Sequence, residues 1–233
     1  MAVDPAPSPV APSPAVMYPV ALDMAGRPCL VVGGGPVAAG KVAGLVRAGA
    51  AVTVVAAAVG TALEALVAEG DGAAPGSEQG SVTVHRRPYR AGEAAGYRLV
   101  VAATGTPEVD GAVAADAEAA GVWVNSVDDP EHSTFHLPSV HRDGPVVVAV
   151  STGGASPALA SWLRRRAGRE LGPDLGTVAT LLEDARRRLQ AAGRPTGSVD
   201  WPALLDGPLL QLVRDGRTDE ARRLIAEATG LPA

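Results

Sequence analysis

Apolar residues recur in short blocks separated by glycine, proline and small polar residues. Residues 29–32 and 99–103 are unbroken apolar runs, too short for helices and bounded by turn residues, as expected of strands buried on both faces. Residues 51–55, 81–85 and 122–126 contain β-branched side chains and are read as further strands. Helical patterns lie between them. The first runs from Pro36 to about Ala48 and ends at Gly49, a C-cap residue. The second covers 62–69 with Thr61 as its N-cap. The third opens at Thr106-Pro107, with Thr106 as cap and proline at the first helical position, and Gly121 closes it. Residues 70–80, rich in glycine, serine and acids, read as a loop. Strands alternating with helices predict an α/β fold: a doubly wound parallel sheet of the Rossmann type.

Beyond Pro130 the pattern changes. Residues 135–140 and 146–151 read as two strands joined by the turn Arg142-Asp143-Gly144-Pro145. Helical patterns follow at 156–171, 177–192, 202–214 and 218–228. The expected organisation is a disordered Pro/Ala-rich tail over 1–16, an α/β domain over 17–134, a small β element with its following helix over 135–171, and a helical C-terminal region over 172–233.

Composition narrows the function classes. Apolar residues make up 47% of the 233 residues but aromatics only 3%, so the core must be built from small aliphatic side chains. The formal net charge of −5, without a basic stripe, argues against nucleic acid as a partner. The arginines cluster locally instead, at Arg86, Arg87 and Arg90, at 164–166 and at 186–188, which suits a small basic pocket. The tail lacks the basic start and compact apolar stretch of a secretion signal, and no apolar run is long enough to span a bilayer, so a soluble cytoplasmic protein is expected. The single cysteine, Cys29, excludes a disulfide within the chain and reads as a small buried hydrophobe. His132, His136 and His141, spaced by four and five in a non-helical segment, lack metal-ligand spacing; with His85 they are expected as exposed polar side chains, and no metal site is expected.

The chemistry gathers at strand ends. Gly33-Gly34-Gly35-Pro36-Val37-Ala38 fits G-x-G-x-x-A between a strand and a helix. Gly33 permits the tight turn, Gly35 lets the backbone approach a pyrophosphate, and Ala38 allows close helix–strand packing. The carboxylate that ordinarily binds the adenine ribose about 20 residues on is missing, since 52–60 contains no Asp or Glu. Ribose contacts are then expected from backbone near Ala57 and Ala58. The loop Thr104-Gly105-Thr106 follows a strand where nicotinamide usually sits. In Asn125-Ser126-Val127-Asp128-Asp129-Pro130, Asp128 is either a general base or a turn-capping aspartate. Ser151-Thr152-Gly153-Gly154-Ala155-Ser156-Pro157 is either a second anion cradle or a plain capped turn.

Four of these stretches, in order and spacing, resemble the precorrin-2 dehydrogenase family, whose members also form the N-terminal module of siroheme synthases. They are 31–38 with Lys41, Ala102-Ala103-Thr104, 125–130 and 150–157, supported by Phe135 and Leu137-Pro138-Ser139. The resemblance covers about 18–171. It implies NAD-dependent oxidation of precorrin-2 to sirohydrochlorin, extended in some members to insertion of iron or cobalt as a metal substrate. It implies NAD contacts at Pro36, Val37, Ala57 and Ala58, with Asp128 as the essential base. It implies a homodimer whose dimerisation segment is 135–171. Lys41, Asn125, Arg142, Ser151, Thr152 and Arg164 are candidates for binding a polycarboxylate macrocycle. Gly40, Gly105 and His136 depart from the family's pattern, which bears on metal insertion more than on oxidation. Outside the resemblance, the residues leave open a dehydrogenase of another substrate, a non-catalytic NAD-sensing module, or a chelatase with a vestigial nucleotide site.

Overall fold

The computed structural model describes residues 17–70 and 80–232. The expected tail at 1–16 and most of the expected loop at 70–80 lie outside them. The chain divides into two compact units, Met1–Leu137 and Pro138–Ala233.

In the first unit, β1 (Pro28–Val32), β2 (Ala51–Ala56), β3 (Ser81–Arg86), β4 (Leu99–Ala102) and β5 (Trp123–Ser126) form one parallel sheet in the order β3-β2-β1-β4-β5. The helices α1 (Pro36–Arg47), α2 (Thr61–Gly70) and α3 (Pro107–Ala119) connect them. Every position of 29–32 is apolar because both faces of β1 are covered. Cys29 and Val31 enter one core with Ala38, Ala39 and Val42 of α1 and Leu63 of α2. Leu30 and Val32 enter a second with Val113, Ala114 and Ala117 of α3. Burial pushes the Cys29 thiol up to about 11, so it stays protonated as a core residue. The chain runs outward from β1 to β3 and then returns to place β4 on the other side of β1. This reversal opens a crevice at the C-terminal ends of β1 and β4, where open α/β sheets bind ligands.

Several local expectations change. Thr61 is the first residue of α2, and the carbonyl of Gly60 accepts from the amides of Leu63 and Glu64. Thr106 occupies the N-cap position of α3 without a side-chain cap bond. The strand expected at 135–140 begins instead at Ser139, and Phe135 packs into the first unit's core. The amides of Thr134 and Phe135 donate to the carbonyl of Val124, so this stretch is anchored on β5.

In the second unit, β6 (Ser139–Asp143) and β7 (Val146–Val150) form an antiparallel hairpin, turned through Gly144 at φ +54°. The helix α4 (Pro157–Leu171) packs on both strands. His141, expected to be exposed, lies with its ring against Gly168 of α4 and its Nε2 buried. The helices α5 (Leu175–Ala191), α6 (Trp201–Asp206), α7 (Leu209–Arg214) and α8 (Thr218–Thr229) share a core of Val178, Leu181, Leu204, Leu209 and Ile225. The helix expected at 202–214 is two helices because Gly207-Pro208 interrupts it, and proline can neither donate to nor fit within a continuing turn. Among the described residues no helix is long and apolar enough to cross a membrane.

Candidate functional site

Register sets three loops side by side. Val32 of β1 pairs with Ala102 of β4, and Ala102 pairs with Ser126 of β5. The residues that follow therefore leave the sheet at one edge, on strands about 4.8 Å apart.

The loop after β1 is held by close backbone contacts. Gly33 has φ +130°, and a Cβ there would stand 2.2 Å from the carbonyl oxygen of Ala103. A Cβ on Gly34 would stand 2.0 Å from the carbonyl oxygen of Ala58. Gly34 was missed in the sequence because the motif leaves its middle position free; the contact that demands glycine comes from another loop. Gly35 is different: a Cβ there would meet nothing within 4 Å. It is the N-cap of α1, with no side-chain cap, no acid in the first turn and Pro36 at the helix start. In the first turn Val37 is exposed at the positive end of the helix, while Ala38 is buried in the core beneath it. The opening at Gly35 fits a dinucleotide pyrophosphate.

Ala57 and Ala58 follow β2 and are exposed. Ala58 packs on Gly34, and the Gly60 amide donates to the Gly34 carbonyl at 2.9 Å. On the neighbouring strand end, Nη2 of Arg86 donates to both carboxylate oxygens of Glu64 of α2, each at 2.7 Å. Arg87 pairs with Glu93 at 2.7 Å.

The loop after β4 is organised by a residue that the sequence reading passed over. Asp110, in α3, is only 6% exposed. Its Oδ1 accepts from the Thr104 amide at 3.0 Å and from the Thr104 hydroxyl at 2.9 Å, and its Oδ2 accepts from the Gly105 amide at 3.1 Å. The Thr104 hydroxyl in turn accepts from the Thr106 amide at 3.0 Å. An isolated aspartate inside a helical pattern carries no sequence signal for this role.

The loop after β5 separates two adjacent carboxylates. The Val127 amide donates to the Ala102 carbonyl, and its side chain packs on the first-unit core. Asp128 then adopts φ +61°, a left-handed conformation uncommon for a residue with a side chain, and is exposed at the edge. Asp129 is engaged: its carboxylate meets His132 Nδ1 at 2.7 Å, and that contact is the chief cause holding its pKa below the ordinary range. Asn125 donates through its side-chain amide to the Phe135 carbonyl at 3.1 Å, and Ser133 bonds both backbone groups of Ser126, so this loop is braced from behind. Lys41 of α1 is half-buried. Desolvation lowers its pKa, and attraction to the Asp128 carboxylate opposes that shift. The structure therefore brings together Gly33, Gly35, Pro36, Val37, Lys41, Thr104 and Asp128 within the first unit.

The second unit holds the other candidates. The Thr152 hydroxyl accepts from the Ser156 amide and donates to the Ser156 carbonyl, while the Ser151 hydroxyl accepts from the Gly153 amide. Ser156 caps α4 by accepting from the Leu159 amide at 3.2 Å. These hydroxyls serve their own turn. Arg142 lies on β6 and Arg164 on α4, neither with a carboxylate partner among the described residues. Among the described residues no group of three or more His, Cys, Asp or Glu side chains is placed to hold a metal ion.

Residues 20–139 match the family model described as "Putative NAD(P)-binding". The chain belongs to this NAD(P)-binding family. The match spans the whole parallel sheet and all three loops. Residues 143–166, from the hairpin turn into α4, match the model described as "Sirohaem biosynthesis protein central". The chain is 39% identical over 217 residues to a siroheme synthase of Methylococcus capsulatus, covering 92% of this chain and 44% of that protein. It is 37% identical over 218 residues to a siroheme synthase of Thioalkalivibrio sulfidiphilus, covering 92% and 42%. The chain thus spans less than half the length of the curated relatives it matches. Among solved structures, one titled "SirC, precorrin-2 dehydrogenase" superposes with a TM-score of 0.67 at 24% identity, covering 91% of this chain and all of that one, which establishes the shared fold. The family resemblance read from the four motifs is borne out, and so is the binding of a nicotinamide dinucleotide as the role of the first unit.

Proposed function

We propose that this NAD(P)-binding chain oxidises precorrin-2 to sirohydrochlorin in siroheme biosynthesis, with NAD⁺ as hydride acceptor. The observation that carries the reading is Asp128. It projects from the end of β5 in a left-handed conformation, on the edge that carries the glycine loop, with Lys41 as its cationic neighbour. The similarity to siroheme synthases supplies the substrate class.

The glycine loop would hold the pyrophosphate of a dinucleotide whose nicotinamide would supply a hydride acceptor, and a base must remove the accompanying proton. Asp128 suits that role because its carboxylate has no hydrogen-bond partner among the described residues, whereas the Asp129 carboxylate is committed to His132. Within the first unit Lys41 is the candidate cation for a substrate carboxylate; Arg142 and Arg164 are separate candidates within the second unit. Asn125, Ser151 and Thr152 contribute by holding their loops in shape. NAD⁺ is favoured over NADP⁺ because Arg86, the cation at the end of β3, is paired with Glu64 rather than free for a 2′-phosphate. The reaction is proposed to be cytoplasmic. Iron or cobalt, where inserted, is a second substrate, with Asp128 accepting the macrocycle's pyrrole protons.

The test is anaerobic incubation with precorrin-2 and NAD⁺. NADH and the sirohydrochlorin spectrum should grow in together, and later addition of Fe²⁺ or Co²⁺ reports any insertion separately. Dinucleotide binding without NADH formation would leave a sensing module instead.

A homodimer is part of this proposal. Leu159, Trp162 and Leu163 are exposed at i, i+3 and i+4 on one face of α4, and Val147 of β7 is exposed as well. Sedimentation of the full chain should give twice the chain mass, and Trp162→Glu should raise the dissociation constant at least about tenfold. A wild-type chain that sediments as a monomer at micromolar concentration would remove this element.

A further inference from the structure

We infer that Asp110 is a positioning residue that makes the loop after β4 selective for the carboxamide of the nicotinamide ring. The inference rests on the dinucleotide reading above and concerns the half of the cofactor that the glycine loop does not touch. A carboxylate as buried as Asp110 is costly unless donors converge on it. Here three do, all from the two residues Thr104 and Gly105. A fourth bond, from the Thr106 amide to the Thr104 hydroxyl, completes the set. Every backbone N–H of the loop 104–106 is thereby committed within the protein.

The carbonyls of Thr104 and Gly105 are left over. Neither accepts a hydrogen bond among the described residues. Gly105 lies at φ +73°, and a Cβ on it would meet nothing within 4 Å, so this side of the loop is open. The loop offers acceptors and no backbone donors. That chemistry suits the N–H₂ of a carboxamide and disfavours a carboxylate in the same place. The loop is also fixed against the phosphate-binding turn, since Ala103 occupies the space a side chain at Gly33 would need. Asp110 touches none of the reacting atoms in this account; it acts through the loop.

The experiment is calorimetric titration of the full chain with three probes: NAD⁺, its nicotinic acid analogue (a carboxylate in place of the carboxamide) and ADP-ribose, which lacks the ring. Wild type should prefer NAD⁺ over the nicotinic acid analogue by at least about tenfold. Asp110→Ala should shrink that preference to within about twofold while leaving ADP-ribose affinity within about twofold of wild type. Asp110→Asn, which keeps one acceptor oxygen, should fall between. If Asp110→Ala does not fold, Thr104→Val, which removes the bridging hydroxyl alone, should reduce the preference in the same direction. An unchanged preference in the folded variants, or an equal loss of NAD⁺ and ADP-ribose binding, overturns the role of Asp110. A wild type that binds none of the three probes would overturn the dinucleotide reading itself.

Discussion

Asp128→Ala should slow precorrin-2 oxidation by about a thousandfold while NAD⁺ affinity stays within about twofold of wild type. The asymmetry follows from where the side chain stands. Asp128 leaves β5, two strands from the glycine loop, and no residue of that loop depends on its carboxylate. Removing it takes away the proton acceptor but none of the pyrophosphate donors at the start of α1. Stability should fall by no more than about 1 kcal/mol: the side chain is exposed, and alanine is only modestly less at ease than aspartate at a positive φ. Asp128→Asn keeps the shape and loses the base, and should be as slow. Asp129→Asn provides the contrast: it disturbs the contact with His132 and should cost far less rate. Single-turnover absorbance with saturating NAD⁺ measures the chemical step, and wild-type rates in Asp128→Ala would rule the base out.

Gly34→Ala should abolish dinucleotide binding and lower stability by about 1–3 kcal/mol. The added methyl would meet the Ala58 carbonyl oxygen at 2.0 Å and the Ala56 Cβ at 3.0 Å, so backbone must move at the turn that presents the phosphate site. The Gly60 amide, bonded to the Gly34 carbonyl, would move with it. Gly35→Ala should separate the two effects. Its methyl points into open space in the free protein, so stability should hold while cofactor affinity drops, because the space is where the pyrophosphate approaches. Denaturant unfolding and NADH titration on both variants check this. Equal unfolding midpoints for Gly34→Ala and wild type would refute the steric account.

Much of this site was legible one strand end at a time. The apolar run at 29–32, the glycines and Pro36 announce a strand, a turn and a helix start, because local sterics and period-two burial act on neighbouring residues. Asp128 was visible as a carboxylate after a strand, though a capping role was equally consistent with the same residues. Asp110 was not visible at all: its partners lie five and six residues upstream, and the spacing does not say that the first turn of α3 aims this carboxylate back at the loop before the helix. The strand misplaced at 135–140 has a different origin: Phe135 is apolar enough for a hairpin, but the core beside α1 and the backbone of β5 claim it.

The glycine loop, the alternation of strands and helices, and the order of the motifs were determined by the sequence alone, because each depends on residues close along the chain. Which glycine is sterically obligatory, which of two adjacent aspartates is free and which buried carboxylate shapes the loop after β4 were decided by tertiary structure. The first depends on a contact between segments far apart in sequence, Gly34 against Ala58. The other two turn on partners only three to six residues away, and spacing alone does not say which way those side chains point.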